Sequence, residues 1–294
     1  MVRRTTSGFL VIVLAVLALT VAPAAARPAS AIAHGKDAPD GAYRFSVLLT
    51  MTGLPAENGT RDSSCSGALI APQWVITAGH CFRDADGQRV SRTVAERTTA
   101  TIGRTDLTSR DGHKVEVVAV HQAGTADVAL ARLGTPVTDI EPLRIATTPP
   151  AAGEVIRLTG YGLTDAGESA TTDRLLTGEF TVDRVGDSLL ETSGRAPRPD
   201  TSPCRHDSGG PYFQQRADGP AELVAVVSGG PTCPHEGPDL SARTDNLAAW
   251  ITDTTSDRGP GPILTGIGAG LAVLLAAIAA VVAARRRTGG PVRR

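Results

Sequence analysis

Residues 204–211 read Cys-Arg-His-Asp-Ser-Gly-Gly-Pro, and the run Asp207-Ser208-Gly209-Gly210-Pro211 at its end decides how the chain is read. By itself a serine between an aspartate and two glycines is a turn. Two stretches upstream give it partners: Thr77-Ala78-Gly79-His80-Cys81 and Ala126-Asp127-Val128-Ala129-Leu130. Taken singly, a histidine in an apolar stretch is structural and an aspartate before a strand belongs to a turn. Together they set His80, Asp127 and Ser208 in chain order, 47 and 81 residues apart. A serine hydroxyl is a weak nucleophile and needs an adjacent base. That base needs a third group to orient it. These residue types in this order therefore point to acyl transfer.

The chain around these strings reads as short strands between turns. Phe45–Thr50, Val115–Val120, Val155–Thr159 and Leu223–Val227 are rich in β-branched and apolar residues, with Gly, Pro, Asp and Ser clusters between them. The single helical pattern is Asn246–Ile251, and no internal repeat is visible. The 294 residues hold 32 Gly and 20 Pro with only 3% aromatics, which suits a loop-rich all-β sandwich or barrel better than a helical bundle. The net charge of -1 argues against a nucleic-acid partner.

The central region resembles the chymotrypsin/trypsin-like serine protease family over about residues 32–252. The likeness extends past His80, Asp127 and Ser208. Ile32-Ala33-His34-Gly35 is similar to the family's mature N-terminus, and Gly160-Tyr161-Gly162 to its Gly-Trp-Gly turn. Ser228-Gly229-Gly230 resembles its substrate-binding strand with Gly229 in place of Trp, Pro238–Arg243 its pocket-closing segment, and Trp250-Ile251 its C-terminal helix. The resemblance implies two packed antiparallel β-barrels, a short C-terminal helix and an active site in the cleft between the barrels. It implies peptide bonds in a protein or peptide substrate as the target, and neither cofactor nor metal.

It also assigns roles. His80 is the base, Asp127 its orienting carboxylate and Ser208 the nucleophile. The backbone N–H groups of His206 and Ser208 form the oxyanion hole. His206 stands where the family has Gly, and His tolerates the positive φ of that position better than most residues. The resemblance pairs Cys65 with Cys81 and Cys204 with Cys233. Cys204-x-His206 and Cys233-x-His235 offer a rival zinc reading, which an exported chain disfavours. Ser202 takes the pocket-base position, with Ser228 and Gly230 on the strand beside it. Asp239 replaces a frequent Gly; a carboxylate entering the pocket there favours Arg or Lys before the scissile bond, whereas with Asp239 turned to solvent Ser202 alone suits apolar or small side chains. Ile32 and Asp207 form the activation pair. The alternative is a catalytically impaired binding module that keeps the protease fold, because of His206 and the missing Trp.

The ends carry different signals. Arg3 and Arg4 precede the 13-residue apolar run 9–21, too short for a comfortable membrane span, and small residues follow it. Residues 1–31 are therefore expected to be a signal peptide, cleaved after Ala26 or Ala31. Residues 253–262 form a polar linker. Residues 263–284 are 22 uncharged apolar residues followed by Arg285, Arg286 and Arg287, the pattern of a transmembrane helix with residues 285–294 as a cytoplasmic basic tail. This gives a single-pass cell-membrane protein with its catalytic domain outside. Gly266 and Gly270 form a small-xxx-small pair that permits a weak homodimer contact. The Ala- and Arg-rich ends have a bacterial character.

Overall fold

The computed structural model describes residues 32–163, 173–215 and 219–256. The signal-peptide, transmembrane and tail segments, with Gly266 and Gly270, lie outside the described residues. Among the described residues no helix is long and apolar enough to cross a membrane.

A two-residue strand β1 (Lys36–Asp37) precedes two barrels. The first is a closed sheet of β2 (Ser46–Ala56), β3 (Gly59–Ala71), β4 (Trp74–Thr77), β5 (Arg97–Ile102), β6 (His113–Gln122) and β7 (Ala129–Leu133), in the order β2-β3-β4-β7-β6-β5. After β8 (Arg144–Ile145), the second contains β9 (Val155–Gly160), β10 (Leu176–Val185), β11 (Leu189–Ala196), β12 (Pro211–Gln214), β13 (Glu222–Gly229) and β14 (Pro238–Arg243). Its order is β10-β11-β14-β13-β12-β9, and the β10–β9 pairing closes it. Add seven to each strand number of the first barrel and the second results. The chain repeats a topology without repeating a sequence, because a barrel needs inward alternation of apolar residues rather than particular ones.

Each of the four strand expectations falls within or along a strand: β2, β6, β9 and β13. β2 runs six residues past the expected Thr50, because Pro55 and Ala56 pair with Thr60 and Gly59 across a two-residue turn at Glu57-Asn58. The helical end differs slightly from expectation. A 3₁₀ turn (Asp245–Leu247) leads into α1 (Ala248–Thr255), which takes in the start of the expected linker. The Thr252 and Thr255 hydroxyls donate to the carbonyls of Ala248 and Ile251, which lets polar residues continue the last turn.

Each barrel has its own core. Val47, Leu49, Leu69, Ile102 and Leu133 fill the first, and Ile156, Leu158, Phe180, Tyr212 and Val224 the second. A third cluster joins them: Trp74, Ile76 and Leu130 from one barrel meet Phe213, Leu223 and Val226 from the other, with Ile251 of α1 beneath. The few aromatics concentrate here, with Phe45 edge-on to Phe213 at 5.1 Å. At about 25 cal/mol per Å² of apolar area, such a seam holds the barrels in one relative position. That fixed position lets residues from both barrels share a site.

Candidate active site

His80 comes from the first barrel, on the 3₁₀ turn Gly79–Cys81 that follows β4. Asp127 also comes from the first barrel, from the loop before β7. Ser208 comes from the second, on the turn before β12. Two side chains, 47 and 128 residues from His80, meet it at the seam. His80 Nδ1 lies 2.7 Å from Asp127 Oδ2, and His80 Nε2 lies 2.8 Å from Ser208 Oγ. A carboxylate only accepts, so Nδ1 carries the proton and Nε2 is left with a lone pair facing the Ser208 hydroxyl.

Four donors converge on Asp127. The His80 backbone N–H donates to Oδ1 at 2.8 Å, and the Ser228 hydroxyl to Oδ2 at 2.7 Å. The guanidinium of Arg89 stands 3.7 Å from Oδ1. Burial by itself pushes the Asp127 pKa up, but the hydrogen bonds from His80 and Ser228 and the His80 charge outweigh it and hold the carboxyl at about 2. Asp127 is thus a fixed negative charge throughout the neutral range. Sequence reading missed Arg89. It donates to the carbonyls of Gly124, Thr125 and Ala126 and so braces the loop that presents Asp127. Nothing local in Gln88-Arg89-Val90 signals this, because the contact spans 37 residues.

The Ser208 turn is shaped by its neighbours. Gly209 has φ +80°, and a Cβ there would lie 2.0 Å from Thr77 Oγ1, so only glycine fits. Asp207 is fully buried and accepts from the backbone N–H groups of Gly162 (2.8 Å), Cys204 (2.9 Å) and Ile32 (3.2 Å). Gly160 and Gly162 flank its carboxyl so closely that any Cβ on them would collide with it. This is the physical reason for Gly-Tyr-Gly. Burial outweighs these three hydrogen bonds and raises the Asp207 pKa to about 7.

His206 takes φ +75°. Its Nδ1–H donates to the Ser64 carbonyl at 2.8 Å, which ties the turn to β3. The backbone N–H groups of His206 and Ser208 have no acceptor among the described residues. His206→Ala should cost about 1 kcal/mol of stability, the worth of the hydrogen bond at an unchanged φ. His206→Gly should be close to neutral, because relief of the backbone offsets the same loss. Thermal melts of the two variants check this, and equal melting temperatures would refute it.

Both cysteine pairs form: Cys65–Cys81 clips β3 to the His80 turn, and Cys204–Cys233 joins the Ser208 turn to the loop after β13. With both thiols in a disulfide, the Cys204/His206/Cys233/His235 zinc reading loses its thiolates. His206 turns to Ser64 and His235 to Asp239 instead.

Beside Ser208 lies a cavity of about 340 Å³, walled by Val227, Gly229, Gly230, the Cys204–Cys233 disulfide and Asp239. The sequence expectations fall on it unevenly. Gly230 lines it, and a Cβ there would come 2.0 Å from Asp239 Oδ1. Asp239, 1% exposed, also lines it, with Oδ1 3.2 Å from His235 Nε2 and Oδ2 without a partner among the described residues. Burial, then the Asp207 charge, raises the Asp239 pKa to about 8. Ser202 does not line the cavity. It is fully buried, and its hydroxyl accepts from the His235 N–H. The Ser228 hydroxyl is committed to Asp127, so its side chain does not face the cavity as a pocket group.

Comparison with known proteins agrees with the barrels. The profile of the Trypsin family matches residues 32–251. The chain is 28% identical over 200 residues to trypsin iota of Drosophila melanogaster, covering 64% of this chain and 77% of that protein. It is also 28% identical over 260 residues to serine protease 56 of Mus musculus, covering 78% of this chain but only 39% of the mouse protein. With a matched family profile over most of its length, two antiparallel barrels and two disulfides, the chain belongs to the trypsin family of serine proteases.

Proposed function

We propose that this protein is a membrane-anchored, extracytoplasmic serine endopeptidase of bacterial character that cleaves after Arg or Lys by way of an acyl-enzyme. The observation that carries the reading is the line Asp127–His80–Ser208, with two unpaired backbone N–H groups beside Ser208 Oγ. In this mechanism His80 Nε2 takes the Ser208 proton as Oγ attacks the carbonyl. The His206 and Ser208 N–H groups receive the oxyanion, and His80 returns the proton to the leaving amine. Water then repeats the sequence and releases the acid. The run 263–284 with Arg285–Arg287 supports the anchor.

Activation follows from the buried end of the domain. Ile32 is fully buried with its nitrogen against Asp207, yet it takes φ +57°, a strained value for a β-branched residue. That torsion exists only while Ala31 is attached. Cleavage after Ala31 removes it and converts an amide into an ammonium facing a carboxylate. Export and activation are then one event; cleavage after Ala26 would leave residues 27–31 as a propeptide. N-terminal sequencing of fully active enzyme that begins at Arg27 would refute direct activation.

Basic specificity rests on Asp239, which lines the cavity with a buried carboxylate whose Oδ2 has no partner among the described residues. In the empty site its carboxyl titrates near 8, so about a tenth is ionised at pH 7 and about nine-tenths at pH 9. The ratio of kcat/KM for an Arg substrate to that for a Leu substrate should therefore rise about tenfold between pH 7 and pH 9. The ratio cancels any effect on the shared machinery. In Asp239→Asn it should be flat.

Active-site labelling tests the whole reading. A fluorophosphonate should modify the wild-type chain at Ser208 and spare Ser208→Ala. A folded, disulfide-bonded chain with a free Ile32 that neither labels nor cleaves would support the rival binding-module reading.

A further inference from the structure

On the far side of Ser208 from the Asp239 cavity lies a second cavity, of about 270 Å³. It reaches from His80 and the Cys65–Cys81 disulfide to the β2–β3 hairpin, with Met51 and Leu54 as an apolar floor. Arg61, Arg83 and Arg205 line it, and among the described residues no acidic side chain does. This is not the by-product of a basic chain, since the net charge is -1.

The strand pattern explains the one-sided charge. Successive residues of β3 point to opposite faces. Arg61, Ser63 and Cys65 therefore face the cavity together, opposite Leu54 and Met51 of β2. Asp62 points the other way, where it accepts from the Gly53 N–H at 3.0 Å. Asp84, next to Arg83, is committed to its own turn, accepting from the N–H groups of Asp86 and Gln88. Neither Arg61 nor Arg83 has a carboxylate within ion-pair distance among the described residues.

The proposed chemistry assigns this cavity a part of the substrate. The leaving amine must lie beside His80 Nε2 to receive its proton. His80 lines this cavity and does not line the one that Asp239 lines. The segment after the scissile bond therefore runs into the arginine-lined side. We infer that the protease selects substrates with Asp or Glu in the first few positions after the cleaved bond, and that Arg61 and Arg83 are the residues that select them. The inference rests on the peptidase reading above and adds a substrate class to it: a basic residue before the bond and acidic residues after it.

The test uses the full chain in detergent and three peptides identical up to the scissile residue, followed by Gly-Glu-Glu, Gly-Gln-Gln or Gly-Lys-Lys. A fourth substrate carries a chromogenic amine in place of these residues. At low salt kcat/KM should fall in the order Glu, Gln, Lys, with the Glu peptide about 3- to 10-fold above the Gln peptide. Because the arginines are solvent-facing, the difference should shrink in 0.5 M salt. In Arg61→Gln/Arg83→Gln the Glu-to-Gln ratio should fall to about one. Equal rates for the three peptides, in enzyme that cleaves the chromogenic substrate, would overturn this inference and leave the peptidase standing. A ratio unchanged in the double variant would overturn the assignment to Arg61 and Arg83. Failure to cleave the chromogenic substrate or to label Ser208 would overturn the peptidase reading and this inference with it.

Discussion

Asp127→Asn should lower kcat for peptide hydrolysis by about 10⁴ at neutral pH with little change in the fold, the loss known for the same substitution in the family's triad. Every group directed at the Asp127 carboxylate is a donor: the His80 N–H, the His80 ring Nδ1–H, the Ser228 hydroxyl and the Arg89 guanidinium. An amide puts two donors in place of one oxygen, so the two contacts to that oxygen, from the His80 ring and the Ser228 hydroxyl, must reverse. The backbone N–H and the guanidinium cannot become acceptors, but an imidazole can change tautomer. The substituted NH₂ should therefore settle opposite Nδ1 and push the ring proton to Nε2. Nε2–H then points at Ser208 Oγ and cannot take its proton. Steady-state kinetics beside a thermal melt will check this. A variant within tenfold of wild type would mean that Asp127 does not set the His80 tautomer.

Keeping Ile32 from becoming a free N-terminus should lower activity, because the carboxyl beside Ser208 then faces an amide instead of an ammonium, and should also change how stability depends on pH. In the uncut chain the Ile32 nitrogen is an uncharged amide 3.2 Å from a fully buried carboxyl, and the Asp207 pKa stands at about 7 instead of 3.8. The unfolded chain gives up that proton near pH 4, while the folded chain keeps it to about 7. The Asp207 contribution to stability is therefore fullest below about 4 and falls as pH rises to about 7, by on the order of 4 kcal/mol. Cleavage after Ala31 places an ammonium at the same spot, returns the carboxyl to its ionised form and removes that loss. Pairing with that carboxylate favours the charged amine, so what the pair contributes is lost once alkali deprotonates it. Melts of the uncut and Ile32-terminated chains should diverge from pH 4 towards 7 and converge again in alkali. Parallel curves would refute the pairing.

Much of the fold is legible in the sequence. Runs such as Val115–Val120 and Leu223–Val227 announce strands because a barrel wall requires β-branched and apolar residues in alternation. Their ends were less legible. The β2–β3 hairpin grows past Thr50 because its two arms pair with each other, and α1 runs past Ile251 on threonine back-bonds. The second barrel's copying of the first could not be read, because the repeat lies in strand order and not in residue identity.

The site divides in the same way. The strings around His80, Asp127 and Ser208 were legible as family resemblance, and so were both cysteine pairings and the glycines of Gly160-Tyr161-Gly162. Their positions in the resemblance make Ser202 and Ser228 pocket residues, but hydroxyls follow the nearest donor or acceptor. Packing gave Ser202 to the His235 N–H and Ser228 to Asp127. Arg89, the His206 hook on Ser64 and the arginine-lined cavity were invisible, because each depends on contacts between segments far apart in sequence. By itself the sequence determined which residue types are available and which local turns can hold them. Only the tertiary structure decided which side chains share a proton, which carboxylates are stripped of water, and which faces keep unpaired charge. These depend on distance and burial, and the packing of one barrel against the other sets both.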